Sequence, residues 1–364
     1  MENKEMTIGR DYDGNLLINN TEYGNLVITS YEIMPNDYDD LCKMEENGEV
    51  KIRLFNIKSK NFKEPFRLEL SIKNDTTHEE FLLVKGGWVP CSYMKKNTLL
   101  FADRNVISKI KNRYFMNEKK GSAELDYFDS IFLNDNKLTL DLTFWVLESN
   151  KGEFPSTDIM DEQLNYAKSN LKRALPNVKV AEYPGGNIYY HNISSAIKNI
   201  TNQRMDLLLK AAPLINRQFT SETREAIVHE IFELVDECKL SRSDISVILI
   251  FLRITMNEKK NPAQGVIKDS QCYTLKKAYN AACDLGSIEW LINLIRKHEM
   301  ENSHFNIAFI TQDKALAKLG ALMLAQKNSS SDGDKISAKT SFPMSIFSDS
   351  LQTLNLVKKY LSID

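Results

Sequence analysis

In the first quarter of the chain, short apolar runs alternate with polar positions over residues 16–18, 26–30, 50–57, 66–72 and 81–84, and turn-forming residues separate them. An apolar side chain at every second position turns one face of an extended segment towards a core. Residues 1–95 are therefore expected to form a β-rich N-terminal module. The segments 14–18 and 24–28 echo each other across a polar stretch, as successive strands joined by a turn do.

From residue 96 the pattern lengthens. The run 99–102 closes on Asp103, with a helix expected from near Val106, and the continuous apolar stretch 140–147 ends at Glu148. Helical spacing covers 160–175 and stops at Pro176, and Pro184-Gly185-Gly186 breaks the chain. Further helices are expected at 205–215, 226–238 and 241–256, the last opened by a capping-box-like Ser241-Arg242-Ser243-Asp244. After Asn261-Pro262 the pattern predicts helices at 272–283 and 287–297, a strand at 305–311 and a helix at 314–326. A Ser-, Asp- and Gly-rich stretch at 328–334 precedes a last helix over 350–361. The organisation expected is a β-rich module (1–95), an α/β domain (96–330) with a helical insertion at about 192–256, and a C-terminal loop and helix (331–364).

Composition narrows the function classes. The 364 residues exceed the usual single domain, and 42% hydrophobic with 26% charged residues describes a chain folded nearly throughout. Even the most apolar stretch, 245–252, is too short to span a bilayer and reads as a buried helix; with no signal-like N-terminus, a cytoplasmic protein without a membrane partner is expected. Five scattered cysteines without CxxC spacing argue for reduced core thiols rather than disulfides or zinc. No GxxxxGK[ST] or GxGxxG is present, His229 lacks a second histidine at helical spacing, and a net charge of −2 requires any polyanion to be met by a local patch.

Four carboxylates close apolar runs: Asp103, Glu148, Asp284 and Asp313. A charge beside a core requires compensation. In an α/β fold, residues at the carboxyl ends of parallel strands converge on one edge of the sheet, where ligands bind. Carboxylates gathered there repel, and divalent cations relieve the repulsion. Mg²⁺ or Mn²⁺ so held lowers the pKa of bound water and neutralises phosphate charge, which suits phosphodiester cleavage; two ions about 3.5–4 Å apart clamp both attacking and leaving oxygens.

The same segments resemble the PIN domain family of nucleases. Leu100-Phe101-Ala102-Asp103-Arg104-Asn105-Val106-Ile107 is similar to its opening strand and first acid, and Leu142-Thr143-Phe144-Trp145-Val146-Leu147-Glu148 to the helix bearing the second. Ala278-Tyr279-Asn280-Ala281-Ala282-Cys283-Asp284 resembles the third, and Phe309-Ile310-Thr311-Gln312-Asp313-Lys314-Ala315-Leu316 the strand-to-helix element with a hydroxyl two residues before the fourth acid. The resemblance spans about 97–326. It implies a PIN-like parallel sheet flanked by helices, Mg²⁺ or Mn²⁺ in the site, and endonucleolytic cleavage of nucleic acid, RNA above all, often in toxin, RNA-processing or defence roles. Asp103, Glu148, Asp284 and Asp313 would be the catalytic and metal-holding residues, with Asn105 and Thr311 orienting them. The chain departs from compact members in the long separation of Glu148 from Asp284, which leaves Asp126, Asp129, Asp141 and Glu153 as rivals for the second acid and Glu289 for the third.

Arg104, Lys109, Lys111, Arg113, Lys119 and Lys120 follow the first acid, with Tyr114 and Phe115 interleaved, and are candidates for positioning nucleic-acid phosphates; a solvated helix face is the competing reading. Asp103 and Asp313 also stand where helix N-caps would. The alternative from another class is a non-enzymatic binding or regulatory protein that keeps the frame as a scaffold and meets a protein partner through residues 1–95 or the helical insertion.

Overall fold

The computed structural model describes residues 7–10, 15–21, 24–73, 80–133, 138–149, 152–216, 219–256, 261–268 and 273–325, together with Phe347, residues 355–356 and Lys359. The loop at 328–334 and most of the C-terminal helix expected at 350–361 lie outside the described residues. The chain divides into two units, 1–77 and 78–364.

The first unit is an antiparallel sheet in the order β1 (Thr7–Arg10), β2 (Leu16–Thr21), β3 (Gly24–Met34), β4 (Glu49–Ser59) and β5 (Phe66–Lys73). Alternation in β4 buries Val50, Ile52 and Leu54 while Lys51 and Arg53 point away, as a sheet with one covered face requires. Between β3 and β4 lies a helix that the alternation did not announce, α1 (Tyr38–Asn47). Asp37 and Asp40 form a capping box at its start, and Gly48 ends it at φ +69°. Arg53 of β4 donates to both oxygens of buried Asp40, at 2.6 and 3.0 Å, tying α1 to the sheet.

The second unit begins with β6 (Phe81–Val84) and β7 (Gly87–Val89). This places the boundary at 77/78 rather than near 95, because residues 81–84 pair with a strand more than 200 residues later in the sequence, not with the N-terminal sheet. Next come β8 (Thr98–Ala102), α2 (Arg104–Arg113), the small hairpin β9 (Tyr114–Phe115) and β10 (Glu118–Lys119), α3 (Tyr127–Leu133), β11 (Thr139–Asp141), α4 (Thr143–Leu147), α5 (Thr157–Ala174) and β12 (Lys179–Val180). The helical stretch follows: α6 (Asn187–Ile215), α7 (Ser221–Glu237), α8 (Ile245–Thr255) and α9 (Pro262–Ile267). The chain then forms α10 (Leu275–Met300), β13 (Asn306–Thr311) and α11 (Lys314–Leu324).

The sheet order is β12-β11-β8-β13-β6-β7. The first four strands are parallel and the last two antiparallel, so the fold is α/β with a mixed sheet flanked by helices, not the all-parallel sheet expected. Leu100 to Ala102 of β8 and Ile307 to Thr311 of β13 are buried without alternation, as in strands covered on both faces. The two helices expected at 272–283 and 287–297 are one, α10: Gly286 interrupts the pattern but not the helix. The cap of α8 is Asp244, which accepts from the Ser246 amide, not Ser241. Every residue of α8 is buried.

Candidate acidic site

β8 runs to β11 on one side through α2, while β13 enters beside β8 on the other. Strand order therefore reverses between β8 and β13, and the crevice at their carboxyl ends is where open α/β sheets bind ligands. Register decides which side chains meet there. Ala102 faces Ile310, the Asp103 amide continues the ladder by donating to the Ile310 carbonyl at 3.0 Å, and both strands end in the same crevice.

Asp103 is 9% exposed and precedes α2 without a side-chain hydrogen bond of cap geometry, although the Arg104 and Asn105 amides partly offset the burial of its charge. Its Oδ2 accepts from Thr311 Oγ1 at 3.0 Å, and Thr311 Oγ1 in turn accepts from the Asp313 amide at 3.0 Å. The hydroxyl thus connects the Asp103 carboxylate with the backbone of Asp313. Asp313 does cap its helix: Oδ1 accepts from the amides of Ala315 and Leu316, at 2.9 and 3.0 Å. Glu148 is fixed by the end of α4, where its carbonyl accepts from Arg104 at 2.5 Å, with the guanidinium 4.7 Å from the Trp145 ring centroid. Asp284 comes from the middle of α10.

Asp103, Glu148 and Asp284 line one cavity of about 330 Å³, whose other walls include Phe144, Leu147, Phe154 and Phe309. Burial beside these apolar walls raises the proton affinity of all three carboxyls, and neighbouring carboxylates reinforce it, Asp313 in the case of Asp103. The Glu148 carboxyl is pushed up to about 7 by burial and by the charge of Asp103, against weaker lowering by Arg104 and Lys268. Asp284 is held well above the usual carboxylate range by burial and then by the charges of Asp103, Glu148 and Asp313.

The rival acids are placed elsewhere. Asp129 is buried, but Arg113 and Lys119 pair with it and Tyr114 donates to it at 2.7 Å; the Arg113 end of α2 is about 15 Å of helix rise from the Asp103 end. Asp126 pairs with the same arginine. Asp141 is fully buried and accepts from the Thr143 amide and from Tyr183, and Glu153 is exposed. Glu289 lines the far end of the cavity, where Arg204 binds it at 2.7 Å.

The basic stretch is corrected by its pairing. Lys109 pairs with Glu80, Arg113 with Asp126 and Asp129, and Lys119 with Asp129, so three of the six cations are neutralised within the protein. Lys111 donates to the Tyr166 hydroxyl, and Lys120 to the Lys111 carbonyl. Asn105, placed on α2 beside Asp103, has a backbone amide that helps hold the Asp103 carboxylate.

No pattern in the sequence singles out Arg204. It is 1% exposed, donates to Asp244 of α8 and Glu289 of α10, and so ties α6 to both; an arginine in a helical stretch carries no local mark of burial. Nor does any pattern single out Gln312, which donates to Glu80 at 3.1 Å beside the fourth acid.

The donor set is chemically suited to a hard divalent cation: carboxylate oxygens whose repulsion a cation would relieve. Among the described residues, no three or more His, Cys, Asp or Glu side chains are already arranged as a coordination shell. No helix of the described residues is long and apolar enough to cross a membrane. The chain matches no protein-family model, no curated protein and no solved structure.

Proposed function

We propose that this protein is a metal-dependent endonuclease of the PIN-like kind, with RNA as the substrate class that its sequence resemblance suggests. One observation carries the reading. Three carboxylates, two directly after β8 and α4 and one within α10, line a single cavity at the strand-order reversal, where Glu148 feels the charge of Asp103, Asp284 feels both, and Asp103 and Asp284 feel a fourth carboxylate at the start of α11.

Asp103, Glu148, Asp284 and the second oxygen of Asp313 would hold Mg²⁺ or Mn²⁺. The ion supplies an activated water and neutralises charge on the phosphate. Thr311 fixes the orientation of Asp103 by donating to Oδ2, and the amides of Ala315 and Leu316 fix that of Asp313. Arg104 holds the end of α4 and thereby the position of Glu148. Glu148, whose carboxyl burial and Asp103 push up to about 7, would give up its proton in holding a cation near neutrality. Of the basic stretch, Arg104, Lys111 and Lys120 are the cations left without a carboxylate partner among the described residues, and they are proposed to meet phosphates.

The pairing of Lys109, Arg113 and Lys119 with carboxylates of the protein favours a second reading, a non-enzymatic binding scaffold. Cleavage of RNA and DNA with EDTA, Mg²⁺ or Mn²⁺ separates the two. The nuclease predicts divalent-dependent cleavage that Asp284→Asn removes. No cleavage with either ion, together with no metal-induced rise in melting temperature, would overturn it.

A further inference from the structure

Beyond the acids, the cavity continues between α6 and α10 to a second polar end. Asp284, Glu289, Trp290 and Asn293 of α10 all line the cavity, from different sides of the helix, and Glu289 and Asn293 lie about 7.5 and 13.5 Å of helix rise beyond Asp284. The lining is otherwise largely apolar and aromatic, with Phe154 and Trp290 among its rings. Its volume of about 330 Å³ suits one small ligand rather than a polymer.

The far end is built. Arg204, buried within the helices, bonds Asp244 at 2.8 Å and Glu289 Oε2 at 2.7 Å. The Glu289 side chain keeps 45% of its surface exposed, and among the described residues Oε1 takes no hydrogen bond. A clamped carboxylate is an acceptor only, so it selects a ligand edge that presents N–H donors. The Asn293 amide beside it both donates and accepts.

We infer that this cavity is a base subsite, taking one unstacked nucleobase with an exocyclic amino group, its ring against the aromatic wall and its amino edge on Glu289. The inference rests on the nuclease reading for its context: the phosphate of the same nucleotide would lie at the acids, with the sugar between. Flat heterocycles stack on aromatic side chains irrespective of sequence, whereas a carboxylate at the ring edge discriminates among them.

Titration of the full chain in EDTA with adenosine, cytidine, guanosine and uridine, followed by tryptophan fluorescence and calorimetry, tests the subsite without metal or cleavage. At least one amino-bearing nucleoside should bind about 10-fold more tightly than uridine. Glu289→Gln, which leaves Arg204 its Asp244 partner, should erase that preference, and Asn293→Ala should weaken binding if the first variant fails to fold. Adding the 5′-phosphate should weaken binding in EDTA and strengthen it with Mn²⁺. Uridine binding as well as the others, no nucleoside binding, or an unchanged preference in Glu289→Gln would overturn the subsite. Nucleoside binding without metal-dependent cleavage defeats the nuclease reading alone; cleavage without nucleoside binding defeats the subsite alone.

Discussion

Two regions of the larger unit bury carboxylates, and they resolve the electrostatic problem in opposite ways. Around Asp129, Arg113, Lys119 and Tyr114 converge, and the carboxyl is held far below its usual range despite its burial. Around Asp103, Glu148 and Asp284, burial and mutual repulsion win, and each carboxyl is held above its usual range. The first arrangement is complete without a ligand. The second gains when a proton or cation enters, and that difference separates a structural ion-pair cluster from a candidate site.

The largest expected effect falls on activity. Asp103→Asn and Asp284→Asn should each lower divalent-dependent cleavage by more than about 100-fold, since even residues that only orient metal ligands are worth about 10–100-fold. Asp129→Asn should leave cleavage by the folded fraction intact. Loss of cleavage in that variant at full folding would break the comparison.

Stability should reverse the ranking. Asp129→Ala leaves Lys119 without its carboxylate partner and Arg113 with Asp126 alone, and should cost about 3 kcal/mol by denaturant unfolding, the low end for a buried pair because Arg113 keeps Asp126. Asp284→Asn in EDTA should leave stability unchanged or raise it by about 1 kcal/mol, because it removes a charge from a crowded pocket. Mn²⁺ should raise the melting temperature of the parent more than that of Asp284→Asn. Equal losses in the two variants would erase the distinction.

The pH dependence has opposite sign in the two regions. Glu148 binds its proton more tightly folded than unfolded, so its contribution to stability is fully present below the unfolded value near 4.5 and is lost as pH rises through about 7. Asp129 has a depressed folded pKa, so its contribution is present above the ordinary carboxylate range and is lost as pH falls through the folded value. Unfolding curves in EDTA at several pH values should show Glu148→Gln flattening the loss between about pH 5 and 7. Asp129→Asn should flatten the loss on the acid side. Mn²⁺ affinity should rise with pH over the window in which Glu148 deprotonates.

The smallest effect concerns Asp313, which belongs to the site and caps α11. Asp313→Ala should cost about 0.5–2 kcal/mol, and Asp313→Asn a few tenths at most, because Asn caps well. Both should reduce the Mn²⁺-induced rise in melting temperature. An undiminished rise in both variants would assign Asp313 to capping only.

Much of the local structure was legible. Alternation marked β2 to β5, continuous apolar runs marked β8 and β13, and the ends of those runs marked Asp103 and Asp313; that β8 and β13 are neighbours came from the structure. Other features escaped. The helix α1 depends on a capping box and a single buried ion pair rather than on a long apolar stripe, and the continuity of α10 through Gly286 is imposed by the helices packed against it. The basic stretch after Asp103 looked like an open face because sequence reports charge, not pairing; Glu80 and Asp129 neutralise half of it.

The sequence by itself determined the elements, the α/β class of the larger unit and a short roster of acids at element ends, because periodicity and capping act over a few residues. Only the tertiary structure decided which acids meet. Asp129 and Asp284 read alike along the chain, yet one lies among cations and the other among carboxylates and aromatic rings. Desolvation and Coulomb energy depend on neighbours brought together from distant segments, and no local pattern records them.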